Sequence, residues 1–474
     1  MNYEVVIGLE IHAQLKTVSK MFCGCNNNAE GKDPNSVTCP VCMGLPGTLP
    51  VPNKKALEFL YRFGRATGST IAPEFHFERK QYFYPDLPKA YQITSQTSAP
   101  LIGGYLDFFV NGEMIRRTIE HTHIEEDAGK LTHSASGSLV DLNRAGTPLL
   151  EIVTNPVFTS PQEAKAFMQE LRLILRYLDI SDADMEKGHM RADGNISLRP
   201  VGQKELGRKC EVKNINSFNA MERALEYEIK RQTAILDEGG TVAQETRGWD
   251  EVKQATYSQR SKEVAHDYRY FPEPDIPPIT QGKENGLDIS GTLPELPAQK
   301  RERYLKEFGI ERKDSDILVA DPALASYFEL ATKRDTKNAQ RINNLIVGEI
   351  LSFCNEQGKT IQDISVTPER LVELIQNIDQ GTISLKVGRE VLAAMLTSGK
   401  KADEIISEQG LGQVSDTGEL EKIISEIITA NPGPVAEYKA GKEAVLAFFV
   451  GQVMKATRGQ ANPGVVNELL KKLL

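Results

Sequence analysis

The chain has 474 residues, 40% of them hydrophobic and 26% charged, with a formal net charge of -9. At roughly 100–200 residues per domain this length allows two to four domains, and the composition is that of an ordinary soluble protein. No apolar run approaches the roughly 18 residues of a membrane span, and the first residues lack a signal-peptide pattern, so cytoplasm is the expected compartment. The acid excess excludes a surface coated for duplex DNA but leaves room for a local RNA-binding patch.

From Tyr3 to Leu15 apolar and polar residues alternate. Val5, Ile7, Leu9, Ile11 and Ala13 share one face of the predicted strand, and Glu4, Gly8, Glu10, His12 and Gln14 the other. Glu10 and His12 therefore leave the sheet together, away from the aliphatic side, toward solvent or a cleft. Four of the six cysteines follow, as Cys23-x-Cys25-x13-Cys39-x2-Cys42. In a reducing compartment such a cluster reads as metal ligands, and a closed set of four thiolates suits structural zinc, with unmetallated buried thiols as the alternative. Arg79 and Lys80 then precede Tyr82-Phe-Tyr-Pro-Asp-Leu-Pro-Lys89, which reads either as a base-stacking, phosphate-holding loop or as packed aromatics beside solvated lysines.

Strand-like runs continue at Tyr105–Val110, 115–124, 149–154, 195–199 and 210–215. Within Glu120-His-Thr-His-Ile-Glu-Glu-Asp127 the alternation puts His121, His123 and Glu125 on one face, with Glu126 and Asp127 opening a turn. Glu151 and Asp193 sit at the ends of two further runs. Taken singly each acid reads as a solvated surface residue. Together, carboxylates with an imidazole and no thiol suit Mg²⁺ or Mn²⁺ better than zinc. Two helices interrupt the strands: one opened by a capping box at Ser160-Pro161-Gln162-Glu163, the other running from about Phe218 to Glu238 and stopped by Gly239-Gly240. Strands with inserted helices and no βαβ rhythm predict an α+β fold with a mostly antiparallel sheet.

Proline-rich segments at 271–278 and 293–297 mark a boundary, after which the pattern turns helical, and a second break falls at Gly410-Leu-Gly412. The expected domains are 1–292, 293–410 and 411–474. The last 44 residues are mildly basic, with Lys439, Lys442, Lys455, Arg458, Lys471 and Lys472 against Glu437, Glu443 and Glu468. Several familiar signatures are absent: a P-loop, a GxGxxG turn, a GxSxG elbow, an HExxH helix and the HIGH and KMSKS pair of one synthetase class.

Longer motifs carry a resemblance. Val6-Ile-Gly-Leu-Glu-Ile-His12, Tyr82 to Gln92, His123-Ile-Glu-Glu-Asp-Ala-Gly-Lys130, Asp141 to Ile152, Lys213-Asn-Ile-Asn-Ser-Phe218, Asp267 to Asp275, Gly451-Gln-Val-Met-Lys455 and Gly459 to Pro463 resemble, in order and over nearly the whole chain, the B subunits of tRNA-dependent amidotransferases. Two stretches depart from the family pattern, Thr154-Asn-Pro-Val157 and Arg191-Ala-Asp-Gly-Asn195.

The resemblance implies a cradle-like catalytic domain, a helical domain and a small helical tail that holds tRNA. It implies an ATP-dependent enzyme that phosphorylates the carboxylate of Glu on tRNA(Gln), Asp on tRNA(Asn), or both. Ammonia would come from a glutaminase A subunit, with a small C subunit completing the complex. By carry-over, Glu10, His12, Glu125 and Glu151 would hold Mg²⁺ and, with Lys80, form the catalytic set. Lys80 and Asp193 would bind the cofactor ATP, Cys23, Cys25, Cys39 and Cys42 would hold zinc, and Lys439, Lys442, Lys455 and Arg458 would contact RNA. Two alternatives stand beside this: a tRNA-binding scaffold without chemistry, and a free-standing aminoacyl-tRNA synthetase.

Overall fold

The computed structural model describes residues 2–134, 137–261, 267–281, 287, 291–412, 417–457, 461 and 463–474. The strands used below are β1 (Tyr3–Gln14), β2 (Glu78–Gln81), β3 (Tyr91–Thr94), β4 (Tyr105–Val110), β5 (Glu113–Glu126), β6 (Pro148–Thr154), β7 (Met190–Pro200), β8 (Cys210–Lys213), β9 (Glu245–Asp250), β10 (Ala255–Ser261) and β11 (Phe271–Pro272). They assemble one large sheet in the order β10-β9-β8-β7-β1-β6-β5-β3-β2-β11, with β4 paired to β5. Among these pairs only β8 and β9 run parallel. The fold is α+β, a mostly antiparallel sheet followed by a helical region.

The alternation along β1 explains why it lies inside the sheet. Ile7, Leu9, Ile11 and Ala13 are almost wholly buried on one face, joined there by Ile124, Leu150, Ile152, Ala192, Ile196 and Val212 from the neighbouring strands. Three helices cover this dry face: α1 (Lys54–Thr67), α2 (Pro161–Tyr177) and α3 (Phe218–Asp237) contribute Leu60, Phe63, Phe167, Leu171, Met221 and Leu225 to the same core. Burial of such side chains, at about 1.5–3 kcal/mol each, is what holds the sheet against the helices.

Local details differ from the sequence reading in instructive ways. Ser160 does cap α2 by accepting from the Glu163 amide at 3.2 Å, but the Glu163 carboxylate reaches back to Thr159, not to Ser160, and also takes Arg117. β8 stops at Lys213 because Asn214 adopts a left-handed backbone (φ 64°), a conformation asparagine tolerates at little cost. Lys80 lies on β2, paired with Gln92 of β3, ahead of the aromatic loop as its place in the sequence implies.

The chain forms two compact units, which divide at Gln299/Lys300. The second unit is helical and holds two separate apolar cores, one running from Tyr304 to Ile406 and the other from Leu420 to Leu470. Thr367 caps the helix Pro368–Asp379 through the Arg370 amide at 3.4 Å. No helix among the described residues is long and apolar enough to cross a membrane.

Candidate functional site

Register converts the alternation of several strands into one row of polar side chains, because opposite residues in an antiparallel pair leave the sheet on the same side. His12 stands opposite both Glu151 on β6 and Arg191 on β7, Glu10 stands opposite Asp193, and Glu151 is also opposite His123 on β5. Lys213 extends the row by donating to Asp193 Oδ2 at 2.5 Å. The row is the wet face of the sheet whose dry face packs against the helices.

Glu151 is at its centre. Its Oε2 lies 3.2 Å from His12 Nε2 and 3.1 Å from His123 Nε2, and Glu125 lies 3.7 Å from the first ring and 3.8 Å from the second. The ligand atoms of Glu10, His12 and Glu151 are all within 4.8 Å of one another, as are those of His123, Glu125 and Glu151. Two ligands about 2.1 Å from one ion are about 3.0 Å apart at right angles and about 4.2 Å apart across it. The observed spacings fit a small cation between the strands. Neither ring nitrogen of buried His123, nor Glu125 Oε2, has a hydrogen bond of good geometry among the described residues; Glu125 Oε2, and one ring nitrogen of His123 once its proton is displaced, offer lone pairs that a cation would satisfy.

The electrostatics agree with a site built to balance charge. Burial works against a positive His12, but the Glu151 and Glu125 carboxylates override it and raise the imidazole from 6.5 to about 9. His123 behaves likewise, pushed against burial to about 9 by Glu151 and Glu125. Burial alone would raise Glu151, yet the two imidazoles hold it well below the carboxylate range. Glu10 moves the other way, raised by burial and by repulsion from Glu151.

Glu10, His12, Glu125 and Asp193 line a cavity of about 780 Å³ with Lys80 and Arg191. Two of its cations are already committed: Lys213 to Asp193, and Arg191 to buried Asp127 at 2.9 Å. Lys80 has no ion-pair partner among the described residues; its ammonium lies 5.2 Å from the centre of the Tyr268 ring. Burial opposes its charge, but Glu125, Tyr270, Glu151 and Tyr268 together outweigh burial and raise it. A half-buried cation without an ion-pair partner among the described residues suits an incoming anion.

The four sulfurs of Cys23, Cys25, Cys39 and Cys42 also lie within 4.8 Å of one another and could hold a metal ion. Cys39 and Cys42 Sγ are 3.9 Å apart, near the roughly 3.8 Å edge of a tetrahedron with bonds of about 2.3 Å. Contacts from Cys23, from the Cys39 amide (3.1 Å) and from Lys20 draw the Cys42 thiol down to about 4, a sulfur that carries its charge readily.

Residues 5–285 match the family described as the GatB/GatE catalytic domain, and residues 326–474 the family described as the GatB domain. The chain is 50% identical, over all of both chains, to the B subunit of the aspartyl/glutamyl-tRNA(Asn/Gln) amidotransferase of Thermoanaerobacter sp. (strain X514). It is 49% identical to that of Persephonella marina and 51% identical to that of Geobacter sulfurreducens, again over the full length of each. The chain belongs to the GatB family. Its relatives in that family are named as subunits of this amidotransferase, an enzyme of the ligase type.

Among the residues singled out from the sequence, the structure brings Glu10, His12, Glu125 and Glu151 together, with Lys80 on the same cavity wall. Asp193 lines that cavity but stands apart from both ligand groups, capped by Lys213. Lys439, Lys442 and Lys455 are exposed on or beside tail helices, and Lys442 pairs with Glu437 at 3.3 Å. Arg458 lies outside the described residues. Sequence reading placed His123 on the face of Glu125 without carrying it into the ligand set, and it missed Arg191, Asp127 and Lys213 as cavity walls. Period-two spacing from Asp193 would have flagged Arg191; Asp127 and Lys213 needed the fold.

Proposed function

We propose that the wet-face cavity is the kinase and transamidase site of an amidotransferase B subunit acting on Glu-tRNA(Gln), Asp-tRNA(Asn) or both. The side-chain carboxylate attacks the γ-phosphorus of ATP, the bond to the bridging oxygen breaks, and ADP leaves. Ammonia then attacks the acyl carbon of the mixed anhydride, phosphate departs with the bonding electron pair, and the surplus proton passes to solvent. The observation that carries this reading is the convergence of the Glu10, His12, His123, Glu125 and Glu151 ligand atoms at a cavity whose Lys80 has no ion-pair partner among the described residues.

The difficulty of the first step is that two anions must meet. Mg²⁺, held by Glu10, His12, Glu125 and Glu151 with His123 added, would supply positive charge to the phosphate oxygens when bound. Lys80, lining the same cavity beside the Tyr268 ring, supplies a further positive charge. Asp193 faces the nucleotide, with Lys213 balancing its charge. Arg191, held by Asp127, provides a second cation at the cavity wall.

Around this site the catalytic domain spans 1–292, a helical domain 293–410, and a tRNA-grasping tail 411–474 whose Lys439, Lys442, Lys455 and Arg458 meet phosphates without reading sequence. The four cysteines hold structural zinc. The partners are a glutaminase A subunit that supplies ammonia, a small C subunit and mischarged tRNA, and the compartment is the cytoplasm. The decisive test uses the assembled complex with ATP, glutamine and each mischarged tRNA. ADP and amide formation on at least one tRNA is expected; tRNA binding without ADP would mark a scaffold instead.

A further inference from the structure

Lys20 has no access to water, with 0% of its surface exposed. Its ammonium donates to the carbonyls of Val37 at 2.9 Å and Leu142 at 3.4 Å, and it lies 3.7 Å from the sulfur of Cys42. Among the described residues no carboxylate pairs with it. Two carbonyl dipoles satisfy hydrogen-bonding capacity but bring no charge, and a buried ammonium without an opposite charge is strongly disfavoured. The charge it lacks is present in the neighbouring cluster, since four thiolates around one divalent cation leave two negative charges uncompensated.

We infer that Lys20 is the built-in counter-ion of the metal-loaded cysteine cluster, a positioning residue that makes the tetrathiolate site stable in a buried place. The inference rests on the zinc reading above. The surroundings fit the role. Lys20 N–H donates to Cys25 O at 3.0 Å, so the residue is anchored to the first half of the cluster while its ammonium meets the second. Gly146 has a left-handed backbone (φ 87°), and a side-chain carbon there would come within 3.5 Å of Lys20 Cδ and 3.6 Å of Cys42 Cβ, so the chain runs close beside both. The ammonium therefore ties the loop before Cys39, through Val37, to the segment at Leu142 only two residues ahead of Arg144, which in turn meets Asp127 at 3.4 Å. Zinc loading and the wall of the catalytic cavity are connected through this lysine.

A purely structural lysine would tie the two carbonyls together whether or not metal is present, so the test reads the metal. The zinc-loaded full chain is mixed with excess chromogenic chelator and zinc release is followed. Lys20→Met should release zinc about tenfold faster than wild type, the scale on which outer partners of metal ligands act. Lys20→Gln, a donor without charge, should be as fast as Lys20→Met. Release within twofold of wild type from Lys20→Met, or full restoration by Lys20→Gln, would overturn the inference. Should the variants not fold, the wild-type chain still decides through ¹⁵Nζ-labelled lysine. The Lys20 ammonium signal should be slow to exchange with zinc bound and shift when zinc is removed; a signal indifferent to zinc overturns the inference. A chain that neither contains nor takes up zinc would refute the zinc reading itself, and this inference with it, whereas normal zinc content with unchanged release refutes the inference alone.

Discussion

Replacing Glu151 by Gln removes the one carboxylate that lies within 3.2 Å of both imidazoles at the centre of the row. Without added divalent cation, that carboxylate and Glu125 lift His12 and His123 from 6.5 to about 9 against the effect of burial. A rise of this size stabilises the folded chain by about 3 kcal/mol per imidazole. Both imidazoles draw on the same two carboxylates, so losing one of them removes about 2–4 kcal/mol for the pair. The pH window follows from the directions. A histidine raised by folding contributes in full below its unfolded value of 6.5 and loses that contribution as pH climbs through about 9. Glu151, held below 4.5, contributes above 4.5 and loses its part as pH falls through its depressed value. The gap between wild type and Glu151→Gln is therefore widest between 4.5 and 6.5 and closes above about 9. Thermal melts in buffer free of added divalent cation should show a deficit of about 4–8 °C at pH ~6 that shrinks to about 2 °C or less at pH ~9.5, taking about 2 °C per kcal/mol. An equal deficit at both pH values would refute the argument that Glu151 stabilises by charge. In the assembled enzyme the same change should lower the amidation kcat by about 10²–10³, the scale of a lost charge-stabilising group.

Three further outcomes are expected. The purified chain should carry about one equivalent of zinc by elemental analysis and a Cys39→Ser, Cys42→Ser variant none; metal-free wild type, purified without chelator, would contradict the zinc reading. Glu125→Gln should abolish ADP formation on mischarged tRNA while the partner's glutamine hydrolysis persists, because phosphate charge goes uncompensated as it develops, so an unchanged rate of ADP formation would remove Glu125 from the metal set. Ending the chain at Gly410 should raise KM for mischarged tRNA severalfold and flatten its salt dependence without altering glutamine hydrolysis, as expected if tail lysines meet phosphates; wild-type affinity in the truncated complex would refute a tail grip.

The alternation of β1 was legible from residues alone because a side chain's face in a strand depends only on parity: Glu10 and His12 leave opposite Leu9 and Ile11 whatever the neighbours are. The cysteine cluster was legible for a similar reason, since two of its pairs are close in sequence and only the loop between 25 and 39 had to close. The long motifs carried the family across the whole chain. Which residues face one another across strands was not legible, because it depends on register between segments far apart in sequence. His12 meets Glu151 and Arg191 only because β1 lies between β6 and β7, and His123 reaches the same carboxylate only because β6 pairs with β5. That order is set by the apolar face: Ile7, Leu9, Ile11, Leu150, Ile152 and Ile124 must come together under the helices, and a slip of one residue would turn each of them to water. Sequence determined which side chains stand on the wet face, and burial of the dry face, a tertiary event, decided which of them become neighbours.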